Sequence, residues 1–181
     1  TVSCTDDAGN TGTASVTVIR DNTNPVVSIT SPSNGLVTSA SSVNVAFTAT
    51  DNQDSSLDCT RVNNTSATLD PGSNDITVAC TDNAGNTGSA TVTVVRDAVA
   101  PVVTITSPAD GAITSAASVA VSYSVSDDLD SSPTCDLADG ASVSLNPGPN
   151  TITVTCDDDA GNSGTDTVTV IRDTGAPVVT I

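Results

Sequence analysis

Displacing the chain against itself by 76 residues brings Cys4, Cys80 and Cys156 into one column and Cys59 and Cys135 into another. Pro25, Pro101 and Pro177 coincide at the same offset, as do Asp21, Asp97 and Asp173. A fixed long period of this kind means one structural unit copied in tandem, so a single large core is excluded from the start. The period divides the 181 residues into two complete modules, 22–97 and 98–173. Residues 1–21 read as the C-terminal part of a preceding module, and 174–181 as the first strand of a further one.

Inside a module the apolar residues alternate, which is the period of half-buried strands. PVVSIT (25–30) opens on Pro, where no ladder donor is lost. SVNVAFTAT (42–50) sends Val43, Val45, Phe47 and Ala49 to one face. Short strands are expected near 57–62 and 65–69, then DITVACT (75–81) and SATVTVVR (89–96). SPSNG (31–35), DNQDSS (51–56) and DPGSN (70–74) supply turn residues between them. The expected fold is therefore all-β: tandem immunoglobulin-like antiparallel β-sandwiches. The loop TDNAGNTG (81–88), echoed at 5–12 and 157–164, is expected to be the last hairpin, with Gly85, Asn86 and Gly88 tolerating positive φ.

The period also sorts the five cysteines. Cys59 and Cys80 fall in one module and Cys135 and Cys156 in the next, so two intramodular bridges are expected, while the partner of Cys4 would precede residue 1. Each bridge closes a loop of about 20 residues, worth roughly 3 kcal/mol by chain entropy. That matters in a module whose one aromatic residue, Phe47 or Tyr123, implies a thin core. Bridges indicate an oxidising, extracellular compartment, at a cell surface or secreted. The rival for paired cysteines, zinc, lacks both His and a CxxC pair.

The run GSNDITVACTDNAGNTGSATVTVVRD (72–97), with PVVTITSPADGAITS (101–115) after the next linker, resembles bacterial immunoglobulin-like repeats of secreted surface proteins. Cys59 and Cys80 flanking a Pro-Gly turn, followed by D-x-AGN, also resemble the hyalin-repeat module, without the further cysteines that pattern usually carries. The resemblance implies an extracellular module that serves as spacer, adhesive domain or enzyme appendage.

Composition narrows function mainly by exclusion. The net charge is −17, every acidic residue is Asp, and the four basic residues are Arg20, Arg61, Arg96 and Arg172. Phosphate recognition needs clustered Lys and Arg, so nucleic acid is not an expected partner. No apolar run reaches the roughly 20 residues of a membrane span. Neither His nor Lys is present to activate a hydroxyl nucleophile, and Asp pairs such as Asp127 and Asp128 sit in turn segments, so no enzymatic activity is expected. The Thr-x-Thr runs (Thr91, Thr93; Thr167, Thr169) read as the solvent side of strands.

The Asp-rich turns are different, because a sandwich gathers them at one end. For the first module that end holds Asp21, Asn22 and Asn24 of the linker, Asp51 and Asp54 of DNQDSS, and Asp82 and Asn86 of the hairpin. For the second it holds Asp97, Asp127, Asp128, Asp130 and Asp158. Oxygen donors from several loops, with no nitrogen or sulfur, suit calcium. The expected function is structural: an extracellular rod, stalk or filament, stiffened by calcium, its partners being neighbouring modules or copies of itself. Any adhesive tip for a surface or glycan would lie outside these residues. The alternative is a carbohydrate-binding or accessory module of a secreted multidomain enzyme.

Overall fold

The computed structural model describes residues 1–181 and contains strands, turns and extended linkers. A hairpin comes first, β1 (Val2–Thr5) with β2 (Thr11–Ala14), exposed along both strands. Two sandwiches follow. The first contains β3 (Val26–Ser31), β4 (Leu36–Thr38), β5 (Ser42–Thr50), β6 (Asp58–Cys59), β7 (Thr65–Thr68), β8 (Gly72–Thr81) and β9 (Thr87–Arg96). The second contains β10 (Val102–Ser107), β11 (Ala112–Thr114), β12 (Ser118–Ser126), β13 (Thr134–Cys135), β14 (Ala141–Ser144), β15 (Gly148–Asp157) and β16 (Ser163–Arg172). β3 starts at Val26 and β10 at Val102, 76 residues on, and the other strands keep that offset.

Each sandwich stacks a three-stranded sheet, ordered β3-β5-β7, on a four-stranded sheet, ordered β4-β9-β8-β6; the second repeats this as β10-β12-β14 on β11-β16-β15-β13. This is an immunoglobulin-like arrangement. The alternating side chains meet between the sheets: Val45, Phe47, Ile76, Val78 and Val94 in the first core, Val121, Ile152, Val154, Val168 and Val170 in the second. β-Branched residues dominate because they fit a pleated, half-buried surface. Cys59 pairs with Cys80 across β6 and β8, and Cys135 with Cys156 across β13 and β15; both pairs are disulfide-bonded. Cys4 is free and exposed.

Two local features differ from expectation. β4 was not anticipated: after the turn at 31–35, Leu36–Thr38 crosses to the other sheet and runs parallel to β9. Three residues are too few to display an alternation. The strand expected over 57–62 shrinks to Asp58–Cys59, anchored by its bridge.

The repeated hairpin loop is a clamp between Asp and Asn. Asn86 donates its backbone N–H to Asp82 Oδ1 (2.8 Å) and its side-chain amide to Asp82 Oδ2 (2.7 Å), and Gly85 takes φ 91°. Asp6 with Asn10 and Asp158 with Asn162 repeat the contacts. Neither Asn86 nor Gly88 has positive φ, contrary to expectation. Gly88 answers to space: a Cβ there would lie 1.8 Å from the carbonyl oxygen of Pro25, at the entrance to β3.

Candidate metal centre at the module joints

The ends of the strands decide which side chains meet. The loop after β5 and the β8–β9 hairpin emerge at one end of the first sandwich, and the linker enters β3 beside them. Asp21, Asp51, Asp54 and Asp82 consequently each place a carboxylate oxygen within 4.8 Å of the others. In the second sandwich the same logic assembles Asp97, Asp127 and Asp158, again within 4.8 Å.

The carboxylates share a pattern of local use. One oxygen of each linker and loop Asp holds a turn: Asp21 Oδ1 accepts from Thr23 N, Asp51 Oδ1 from Gln53 N, Asp97 Oδ1 from Val99 N and Asp127 Oδ1 from Leu129 N. Oδ2 of Asp21, Asp51 and Asp127 is buried and has no hydrogen-bond donor. Native structures rarely leave such atoms unpaired. Burial is deepest at Asp97, Asp82 and Asp158, which are 2%, 6% and 7% exposed.

Asp82 and Asp158 are carboxylates rather than acids at neutral pH. At Asp82 and Asp158 burial works to raise the pKa, but donation from Asn86 and Asn162 outweighs it and holds both below the ordinary carboxylate range. Nearby cationic side chains do not supply the compensation: Arg96 and Arg172 direct Nη1 to the carbonyl oxygens of Leu69 and Leu145.

Not every expected ligand joins. Asp130 occupies the place of Asp54 and, like it, accepts from the hairpin with Oδ2, from Asp159 N where Asp54 accepts from Asn83 N. Its Oδ1 takes Ser132 N where that of Asp54 takes the Asn83 amide, and the second group is one carboxylate short. Asp128, Asn22 and Asn24 are exposed, and Asp128 stays outside the group. Asn86 acts one step back, by orienting Asp82.

The second group also sits at a contact between sandwiches. Ser39 N donates to Ala160 O (3.2 Å), and a cleft of about 350 Å³ opens between Val37 and Val95 on one side and Leu129 and Ala160 on the other. Asp97 and Asp130 line it. Sequence reasoning missed this contact. Its one legible signal is Leu129, an apolar residue in an otherwise polar turn where the first module has Gln53.

Residues 101–174 match the family model of glucodextranase domain B. No curated protein matches the chain. Among solved structures, the fibronectin(III)-like modules of CbhA from Clostridium thermocellum align at 16% identity with a TM-score of 0.44, over 82% of this chain and 94% of that one.

Proposed function

We propose that the chain is a non-catalytic spacer: tandem immunoglobulin-like modules that set distance and orientation within a secreted, multidomain protein. The observation that carries this reading is the joint. Two bridged sandwiches are connected by a few linker residues and touch directly through Ser39 and Ala160. Short linkers containing Pro act as semi-rigid connectors rather than tethers. Two disulfides support an extracellular setting.

The match of residues 101–174 to a domain of glucodextranase favours an appendage of a secreted carbohydrate-active enzyme over a free-standing filament. Within that setting a spacing role is better supported than sugar binding. Sugar sites commonly rely on exposed aromatic faces, whereas Phe47 is buried and Tyr123 packs on the second core with its hydroxyl donating to Leu137 O. The likeness to hyalin repeats, carried by Cys59, Cys80 and the D-x-AGN phrase, fits the same extracellular spacer role.

Small-angle scattering of the 181-residue chain tests the proposal. A spacer gives a two-lobed, elongated distance distribution that persists at high salt. A single symmetric peak would refute it, as would retention on a polysaccharide affinity column.

A further inference from the structure

We propose that each module joint binds a divalent cation through Asp oxygens, with Ca²⁺ the ion whose chemistry fits. This goes beyond the spacer reading and stands independently of it.

The first site is Asp21, Asp51, Asp54 and Asp82, and the second is Asp97, Asp127 and Asp158. Proximity of carboxylates alone would mean little, since exposed acidic turns are ordinary. What distinguishes these groups is that each contains buried carboxylate oxygens with no hydrogen-bond donor. Asp97 is 2% exposed inside a group of like charges, and Asp127 Oδ2 beside it is buried with no donor. At the first joint Oδ2 of Asp21 and of Asp51 is in the same condition. An unpaired buried carboxylate oxygen is costly unless a proton or a cation meets it.

Burial arises where linker, loop and hairpin converge, as at Asp82 and at Asp97 with Asp158.

The donor set selects the ion class. All side-chain donors are hard carboxylate oxygens, which disfavours zinc and copper, and they come from three separate segments rather than one rigid cage. Ca²⁺ accepts six to eight oxygens in flexible geometry, so backbone carbonyls and water can complete either site. The two sites should differ. With four carboxylates against three, the first is expected to bind more tightly by at least tenfold. Since the linker Asp comes from outside the strands of the following sandwich, a bound cation would tie the linker to that sandwich and restrict the joint.

The test is calorimetric titration of the chelator-treated full chain with CaCl₂ and, separately, MgCl₂, accompanied by terbium luminescence. Two Ca²⁺ per chain, in two resolved steps and at least tenfold tighter than Mg²⁺, are expected. Asp51→Asn should remove the tighter step and Asp97→Asn the weaker one, each with an unchanged circular dichroism spectrum. Absence of saturable binding at millimolar Ca²⁺ would overturn the proposal. So would binding without fixed stoichiometry that disappears at moderate ionic strength, the behaviour of a diffuse counterion cloud. Should one variant fold poorly, the other variant and the wild-type stoichiometry still decide: two undiminished sites in a folded Asp97→Asn or Asp51→Asn chain would refute the assignment.

Discussion

Replacing Gly88 by Ala should cripple the first sandwich, although alanine normally strengthens a strand relative to glycine. The added Cβ would lie 1.8 Å from Pro25 O and 2.8 Å from Pro25 C. Ordinary contact begins near 3.4 Å, so the entrance of β3 must retreat by about 1.6 Å from β9. No side-chain rotamer can relieve the clash, because both partners are backbone. The retreat loosens Val27 and Ile29, which pack on the first core from β3. Overpacking costs about 1–3 kcal/mol, and a backbone obstruction belongs at the upper end. The entropic gain of Gly→Ala returns about 0.4–1 kcal/mol. The net loss is about 2 kcal/mol, or roughly 8–16 °C in melting temperature for a module of this size. Differential scanning calorimetry can separate the two sandwiches: Gly88→Ala should lower one transition and Gly164→Ala, whose Cβ would meet Pro101 O at 1.7 Å, the other. Ser89→Ala, on the exposed side of the same strand, should move neither by more than about 0.5 kcal/mol. Gly88→Ala and Gly164→Ala variants that melt at or above the wild-type temperature would refute the close-approach explanation.

Replacing Cys59 and Cys80 together by Ala should destabilise the first sandwich by about 3 kcal/mol, the value for a loop of 21-residue separation, measured by urea unfolding. Tyr123, the one tyrosine in the chain, has its pKa raised first by burial and then by Asp139 and Asp136. Its neutral form is thus favoured in the folded state: that contribution is complete below pH about 10 and is lost as pH rises through the folded value. Phenolate absorbance should show a midpoint above 10 in the folded chain and near 10 in urea, and Tyr123→Phe, losing the bond to Leu137 O, should cost about 1 kcal/mol. Asp82 and Asp158 act with the opposite sign. Their depressed values mean stability held above pH about 4 and lost as pH falls through the folded pKa, so Asn86→Ala should shift acid unfolding of the first sandwich to higher pH.

Much of this was legible because the chain states its unit more than once. The offset of 76 residues placed the cysteine pairs and strands before any coordinate, and alternation identified Val45 and Phe47 as core. Periodicity fails where segments are short: Leu36–Thr38 joins the opposite sheet by its parallel pairing to β9, a tertiary fact without local signature. The convergence of Asp21, Asp51, Asp54 and Asp82 followed from strand topology and could be read in advance. The exclusion of Asp130 could not. Asp54 and Asp130 are equivalent in sequence and both accept from the hairpin, Asp54 from Asn83 and Asp130 from Asp159. They differ in Oδ1, which takes the Asn83 amide at Asp54 and Ser132 N at Asp130. Gly88 carried the subtlest message. It looks like turn chemistry, but what it accommodates is a carbonyl more than sixty residues away.

The most direct test of the account measures the joint itself. Spin labels placed on the exposed positions Ser66→Cys and Ser142→Cys, in a Cys4→Ser background, report the distance between the two sandwiches by pulsed electron paramagnetic resonance. A jointed rod predicts a single narrow distribution in Ca²⁺, broadened when the ion is chelated. A broad distribution in both conditions would contradict it, because freely swivelling beads cannot set the spacing proposed for this chain.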